Sequence, residues 1–317
     1  MESSTVLPAR AGDPGSRRIG LGLAALGRPG YLNLGHGEDL GEDRSVAALR
    51  ARAFDVLDAA YAAGVRYLDA ARSYGRAEEF LGAWLDERRP ADVVVGSKWG
   101  YVYTAGWEVA ADPPEVKHHD VDTLRRQLEE TRALLGDRLA LYQIHSATPD
   151  SGVLDDGAVL EELQALRATG VAIGVTASGP SQPETVDRAV ELGCFDAVQA
   201  TWNLHERAAG EALRRAHEAG MAVIVKEALA NGRLVRNPAL ERTAGALGAT
   251  PDAVALAAVL AQPFADVVLS GAATRDALAG NLTAAQLRLP DAALEELAPL
   301  EEDSREYWST RSALAWN

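Results

Sequence analysis

The sequence has only one cysteine, Cys194, and only three lysines, Lys98, Lys117 and Lys226. A single cysteine excludes an internal disulfide and a cysteine metal cluster, and it fits a reducing compartment, so we expect a cytoplasmic location and no metal site. Basic residues are outnumbered, and the formal net charge is -15. Because this charge repels phosphate backbones and anionic lipid, we expect no nucleic-acid or membrane partner. The sequence indicates no oligomeric state.

Long hydrophobic runs are also absent, since no segment reaches the ~20 apolar residues that cross a bilayer. Arg17 and Arg18 precede an apolar run at 19–27 and are similar to a twin-arginine export signal. That run is short and lacks a small-residue cleavage site, so we assign it to a first strand. Residues 1–16 are polar and rich in glycine and proline, which predicts a disordered tail before a domain that spans 17–317 and ends in a C-terminal extension.

The chain does contain a regular alternation of short apolar runs with longer helical patterns, which is typical of parallel strands joined by helical crossovers. The predicted strands are 19–23, 67–69, 93–98, 139–145, 172–176, 197–201, 222–226 and 267–270. The predicted helices are 47–63, 121–135, 159–168, 184–192, 208–219, 251–261 and 276–285, with a further helix starting after Tyr74. Eight strand-helix units without a break in composition predict a single (β/α)8 TIM barrel.

Chemically capable residues stand at the ends of three predicted strands. Asp69 ends the second strand, Lys98 the third and His145 the fourth, and Tyr74 follows Asp69 by five residues. A barrel builds its chemistry at the carboxyl ends of its strands, so these side chains should meet at one mouth. In a chain this poor in lysine, a lysine at such a place favours a functional role over a structural ion pair.

The segments around these residues resemble those of the aldo-keto reductases. Y-L-D-A-A-R-S-Y-G resembles the family pattern F-D-T-A-x-x-Y-G, G-S-K-W-G resembles T-K-x-G, and L-Y-Q-I-H-S resembles D-L-Y-x-x-H. Asp69, Tyr74, Lys98 and His145 match the family's four catalytic residues in order and approximate spacing. The resemblance implies an oxidoreductase that moves a hydride between a nicotinamide cofactor and a carbonyl or alcohol.

The four residues have distinct expected roles. Tyr74 exchanges a proton with the substrate oxygen as general acid or base. A cationic Lys98 beside it is expected to lower the pKa of the phenol from ~10, and Asp69 to hold the ammonium in place. His145 is expected to donate a hydrogen bond to the carbonyl oxygen and polarise it.

The resemblance extends to the segments that hold the nicotinamide in the aldo-keto reductases. In I-G-V-T-A-S-G-P and V-Q-A-T-W-N-L-H-E-R, Gln199 matches the family's glutamine, Thr176 replaces its serine, and Ser178 can replace its asparagine. Lys226 occupies the position of the family's stacking aromatic residue. Its direction stays open between the nicotinamide ring, the pyrophosphate and Glu227.

The last cofactor segment is S-G-A-A-T-R-D-A-L-A-G-N, which implies cofactor contacts at Gly271, Thr274, Arg275 and Asn281. Gly271 and Ala277 stand where NADPH-preferring relatives carry the lysine and arginine that grip the 2′-phosphate. Arg275 is near enough in sequence to compensate. The expected cofactor is therefore NADP(H), the family default, or NAD(H).

An aromatic run follows Lys98 in a chain with 6% aromatic residues. Together with a tyrosine after the first strand, it predicts an aromatic-walled substrate pocket for a small carbonyl or alcohol. The expected wall residues are Tyr31, Trp99, Tyr101 and Trp107. Near the C-terminus, Tyr307, Trp308 and Trp316 are expected either to close over this pocket or to dock on the barrel wall.

Two other functions use the same residues. Lys226 or Lys98 can form a Schiff base with a carbonyl substrate, as in a lyase or aldolase. Alternatively, the fold can serve as a nucleotide-binding regulatory protein. The complete set of four catalytic residues favours hydride transfer.

Overall fold

The structure is a computed structural model in which residues 6–317 are described. The strands of this part are β1 Ile19–Gly22, β2 Tyr67–Asp69, β3 Val94–Trp99, β4 Tyr101–Tyr103, β5 Glu115–Lys117, β6 Leu139–Ala147, β7 Ala172–Ala177, β8 Ala197–Thr201, β9 Ala222–Lys226 and β10 Val267–Ser270. Its α-helices are α1 His36–Leu40, α2 Val46–Ala62, α3 Ala77–Arg88, α4 Val121–Leu135, α5 Gly157–Ala168, α6 Gln182–Leu192, α7 Gly210–Glu218, α8 Pro238–Leu247, α9 Pro251–Leu260, α10 Arg275–Thr283, α11 Asp291–Leu297 and α12 Ser304–Ser312.

Eight strands close into a parallel barrel in the order β1-β2-β3-β6-β7-β8-β9-β10. Ile19 of β1 lies opposite Val268 of β10, and this pairing completes the ring. The predicted single-domain (β/α)8 barrel is confirmed. β2, β8, β9 and β10 have the predicted bounds, and the other four barrel strands differ by one or two residues at one or both ends. All eight strands point their carboxyl ends at one mouth.

Tyr67 fills the interior of the barrel below this mouth and is fully buried. Two glycines on neighbouring strands make room for its ring. A Cβ on Gly96 would lie 2.3 Å from the Tyr67 hydroxyl oxygen, and a Cβ on Gly20 would lie 2.9 Å from its Cδ1. These glycines are therefore required by packing, since real Cβ atoms do not approach other atoms so closely.

The segment before β1 packs against the amino-terminal end of the barrel. Leu7 and Ala9 are buried, and the backbone N–H of Ala11 donates to Oδ1 of Asp266 at 2.8 Å. A disordered tail was expected over residues 1–16. Residues 1–5 lie outside the described residues, and from residue 6 onward the structure differs from that expectation because the segment's few apolar side chains cover the barrel's lower end.

The sequence did not predict an antiparallel ribbon, and it predicted a C-terminal extension without its helices. β4 and β5 form an antiparallel ribbon in the long connection after β3. At the other end of the chain, α11 and α12 pack with α8 and α9 around a second apolar cluster that includes Tyr307 and Trp308. Those two aromatic residues thus dock on the outside of the barrel.

None of the described helices is by itself long and apolar enough to cross a membrane. α8 and α9 reach that length and composition only together, across a bend of 87°. Every residue of α9 from Ala253 to Leu260 is buried in the fold.

Candidate active site

Lys98 and Asp69 form a buried ion pair beneath the mouth of the barrel. Nζ of Lys98 contacts Oδ2 of Asp69 and donates to the carbonyl of Ala70 at 3.0 Å. It also lies 3.3 Å from the hydroxyl oxygen of Tyr74, which follows β2. Three strand ends and one loop therefore bring Asp69, Tyr74, Lys98 and His145 together, as the sequence predicted.

The second carboxylate oxygen of Asp69 also has partners. Its Oδ1 accepts from the Tyr67 hydroxyl at 3.2 Å and from Nε2 of Gln199 at 3.1 Å. A buried charge is tolerated when a counter-charge and hydrogen bonds satisfy it. Gln199 thereby joins the predicted nicotinamide contacts to the predicted catalytic residues.

Tyr74 differs from expectation in its acidity. Burial, followed by the negative charge of Asp69, raises the pKa of Tyr74 well above its ordinary value, and only Arg28 opposes this among the leading influences. Lys98 was expected to lower that pKa. Its charge is compensated by Asp69 in direct contact, so the phenol experiences the pair rather than a free ammonium.

His145 lies edge-on to Tyr74, with ring centroids 5.4 Å apart. Burial, and then the nearby charge of Lys98, lowers the pKa of His145 well below its ordinary value, so the ring is neutral. The Ser73 hydroxyl lies 3.4 Å from Nδ1. When that hydroxyl donates to Nδ1, Nε2 carries the ring proton and is a hydrogen-bond donor.

A cavity of about 370 Å³ opens at the mouth and is walled by Asp69, Tyr74 and His145, while Lys98 lies beneath its floor. Many of the residues predicted to bind cofactor also line it. These are Thr176, Ser178, Gln199, Lys226, Gly271 and Asn281.

Lys226 points across the cavity toward β7 and β8. Its Nζ donates to Oγ1 of Thr201 at 2.8 Å and to Oγ of Ser178 at 3.2 Å, and it lies 3.8 Å from Oε1 of Glu227. Burial lowers the pKa of Lys226 to about 8, although Glu227 acts in the opposite direction. The direction that the sequence left open is thus toward these hydroxyls and Glu227.

Thr274 and Arg275 are not part of the cavity wall. The Thr274 side chain caps α10 by accepting from the backbone N–H of Ala277 at 3.2 Å. Arg275 pairs with Asp55 of α2 at 3.0 Å, and its side chain is 63% exposed. The arginine that was expected to compensate for the missing 2′-phosphate contacts therefore points away from the cavity.

The predicted aromatic wall is only partly present. Tyr31 lines the cavity. Tyr101 does not line it, but its ring packs edge-on against His145, which does, with centroids 5.0 Å apart. Trp99 is fully buried in the core, because neighbours on a strand face opposite sides and Lys98 takes the inward side. Trp107 packs on Phe80 and donates to the carbonyl of Arg44 at 2.8 Å.

Arg28, in the loop after β1, is a cavity residue that the sequence did not reveal. It is almost fully buried, donates to the carbonyl of Ser73 at 3.1 Å and pairs with Glu115 of the ribbon at 3.0 Å. Its guanidinium lies 4.5 Å from the ring of Trp316. A basic residue in the glycine-rich loop after the first strand was the available signal.

Glu227 and Arg311 form another unanticipated pair in the wall, with Nε of Arg311 donating to Oε2 at 2.8 Å. Glu227 adopts φ 56°, a left-handed conformation that costs a residue with a side chain roughly 1–2 kcal/mol. The pair with α12 holds it there. Trp316 and Asn317 also reach the mouth, and the backbone of Asn317 pairs with Tyr31 in both directions.

A closed eight-stranded barrel with a buried Lys-Asp pair, a tyrosine and a neutral histidine at its mouth defines a class of barrel oxidoreductase. Residues 18–302 match the Aldo/keto reductase family, and the chain belongs to that family. Its members use NAD(P)H as hydride carrier.

The chain is similar to several characterised proteins. D-threo-aldose 1-dehydrogenase from a Pseudomonas species is 28% identical over 247 residues, 71% of this chain and 71% of that protein. A glycerol dehydrogenase from Gluconobacter oxydans is 22% identical with a TM-score of 0.70, covering 95% of each chain. An aldo/keto reductase from Klebsiella pneumoniae, solved in complex with NADP and acetate, is 22% identical with a TM-score of 0.65, covering 89% of this chain and 90% of that one. The two structural matches show the shared fold.

Proposed function

We propose that the protein transfers a hydride between NADP(H) or NAD(H) and a small carbonyl or alcohol substrate, with Tyr74 as general acid and base. The observation that carries this proposal is the position of the Tyr74 hydroxyl, 3.3 Å from Nζ of Lys98 and on a cavity wall shared with His145. A group that exchanges protons must reach both the substrate and a charge that stabilises its ionised form.

In the reductive direction, Tyr74 donates its hydroxyl proton to the carbonyl oxygen while the carbon accepts the hydride. The raised pKa of Tyr74, caused by burial and Asp69, keeps the phenol protonated near neutral pH. Proton loss leaves a phenolate that accepts a hydrogen bond from Nζ of Lys98 and is stabilised by the nearby charge of Arg28. His145 donates from Nε2 to the same substrate oxygen and polarises the carbonyl. In alcohol oxidation the phenolate of Tyr74 takes the proton back.

The cavity residues fit a nicotinamide dinucleotide. The wall is continuous from Tyr74 through Gly271 and Ala272 to Ala277 and Asn281 of α10. A Cβ on Gly271 would meet no atom within 4 Å, so this end has room for a bulky group. Gln199 and Ser178 provide the polar groups for a carboxamide. When bound, the reduced cofactor supplies the hydride.

For the substrate we propose a small polar aldehyde, sugar or polyol. Near Tyr74 and His145 the cavity wall is charged and can form hydrogen bonds, because it contains Arg28, Glu115 and Lys226. Tyr31 adds one aromatic face. The aldose dehydrogenase among the similar proteins acts on a polyhydroxylated compound by its name. A wall of this kind satisfies hydroxyl groups that an apolar pocket would leave unpaired.

The test is to compare wild type with Tyr74→Phe in assays of NADH and NADPH oxidation with a panel of small aldehydes and sugars. The variant is expected to lose turnover and keep its nucleotide affinity, because only the phenolic oxygen is removed. Tyr61→Phe is the matched control, since that hydroxyl bonds Asp92 at 3.0 Å on the surface. Full turnover by the Tyr74→Phe variant would overturn the assigned role. Nucleotide binding by wild type without turnover would favour a regulatory protein.

Lys226 supports a second candidate, Schiff-base chemistry. With its pKa near 8, lowered by burial, part of this amine is neutral and nucleophilic near neutral pH, and it lies in the same cavity as Tyr74. Lys98 is excluded as the nucleophile by its buried pair with Asp69. Borohydride trapping of an aldehyde adduct on wild type, absent in Lys226→Met, would support this candidate.

A further inference from the structure

Asp252 lies in the first turn of α9 and lines the end of the cavity, together with Ala277 and Asn281 of α10. Its Oδ2 is 3.0 Å from the place where a Cβ on Gly280 would stand, so the carboxylate rests against the face of α10. No residue of the described chain, 6–317, forms a hydrogen bond or ion pair with it. A half-buried carboxylate without a partner is available to a ligand.

Among residues 6–317, no arginine or lysine side chain pairs with Asp252 at this end of the cavity. Within the described residues, the basic side chains in the cavity wall are Arg28, Lys226 and Arg311. Arg28 is paired with Glu115 and stacked beside Tyr74, and Arg311 is paired with Glu227.

Two further basic residues, Lys226 and Arg275, are also directed elsewhere. Lys226 donates to Thr201 and Ser178, on the side of the barrel strands. Arg275, at the start of α10, pairs with Asp55 outside the cavity.

The proposed function determines what occupies this end. Hydride transfer at Tyr74 requires the nicotinamide beside Tyr74 and His145. The loop after the last strand brings Gly271 and Ala272 into the cavity wall and has room for the pyrophosphate. The adenosine then extends along the face of α10 that carries Ala277 and Asn281, and Asp252 lies beside that face.

We infer that Asp252 is a specificity-determining residue that selects NAD(H) over NADP(H). The inference rests on the proposed function. The carboxylate accepts a hydrogen bond from the ribose 2′-hydroxyl, the pairing by which acidic residues recognise NAD in other dinucleotide sites. A 2′-phosphate would bring nearly two additional negative charges against Asp252. Among the described residues, no arginine or lysine in this part of the wall offsets them.

The test is a titration of the full-length protein with NADH and with NADPH, followed by nucleotide fluorescence. Wild type is expected to bind NADH about tenfold or more tightly than NADPH, which is the effect of one uncompensated charge contact. Asp252→Asn keeps the shape of the side chain and is expected to bring the affinities for NADH and NADPH closer together. Asp252→Ala combined with Ala277→Arg is expected to make NADPH the more tightly bound nucleotide.

Asp276→Asn is the matched control, because Asp276 is an exposed acidic residue in the first turn of α10 and is not part of the cavity wall. This substitution also removes one negative charge, and it is expected to leave the ratio of NADH affinity to NADPH affinity unchanged. Added salt is expected to improve NADPH binding to wild type and to have less effect on Asp252→Asn, because it screens the repulsion.

The outcomes separate this inference from the proposed function. Equal affinities, tighter NADPH binding, or an unchanged ratio in Asp252→Asn would overturn the role of Asp252 and leave hydride transfer intact. Binding of neither nucleotide would overturn the proposed function, and the inference with it.

Discussion

The guanidinium of Arg28 lies over the ring of Tyr74, with Cζ 5.2 Å from the ring centroid. Nζ of Lys98 lies 4.8 Å from the same centroid. Because Asp69 compensates Lys98, Arg28 is the cation that most opposes the rise in the pKa of Tyr74 caused by burial and by Asp69. The pKa of Tyr74 is thus influenced by residues from the first three barrel strands and their loops.

Replacing Arg28 should change the pH dependence of the reaction. Arg28→Met is expected to raise the pKa of Tyr74 further, and so to move the onset of alcohol oxidation upward by about one pH unit. Arg28→Lys keeps the charge and should move it less. The measurement is kcat for oxidation against pH, and an unshifted Arg28→Met profile would mean that Glu115 cancels the charge of Arg28.

Asp69→Asn should cost both stability and activity. It leaves Lys98 buried without its counter-ion, which costs about 3–5 kcal/mol. Urea unfolding measures the loss, and turnover should fall together with it. The double variant Asp69→Asn with Lys98→Met removes the stranded charge, so it should recover part of the stability and none of the activity. A single variant as stable as wild type would contradict the prediction.

The Glu227–Arg311 pair should make stability depend on acid pH. Burial acts to raise the pKa of Glu227, but Arg311 and Lys226 outweigh it and lower the pKa from 4.5 to about 2. The folded state therefore gains stability, about 3 kcal/mol, that is fully present above pH ~4.5 and is lost as the pH falls toward ~2. Glu227→Gln should remove this gain at pH 7. The free energy of unfolding of the variant should then depend less on pH between ~4.5 and ~2. Glu241→Gln, at an exposed position of α8, should change neither.

Gly96→Ala should destabilise the barrel by about 1–3 kcal/mol, because its Cβ would press on the Tyr67 hydroxyl. Adding Tyr67→Phe removes that oxygen and should recover part of the loss, which thermal unfolding can measure. The matched control is Gly245→Ala, on the exposed face of α8, where a Cβ meets nothing within 4 Å. There the same substitution should stabilise the helix by roughly 0.5–1 kcal/mol.

The barrel and its four central residues could be predicted because apolar periodicity and strand ends are local features of the sequence. The outward direction of Trp99 could also have been predicted, since the residue after an inward-facing Lys98 must face outward. The places of Arg28 and Asp252 in the cavity wall could not be predicted from strand periodicity. Each reaches the cavity from a different loop or helix, and only tertiary packing shows that one meets Tyr74 and the other faces α10.

The pairing of β1 with β10 has a consequence for biosynthesis. On the ribosome, β1 is made before the six other strands of the ring that precede β10, and its pairing with β10 must wait until β10 is made, so the ring stays open during that interval. Such an unpaired edge invites association with other nascent chains. β1 is only four residues long and directly follows Arg17 and Arg18. A short edge flanked by charge is a poor template for intermolecular strand pairing, which suits a strand that must wait for its partner.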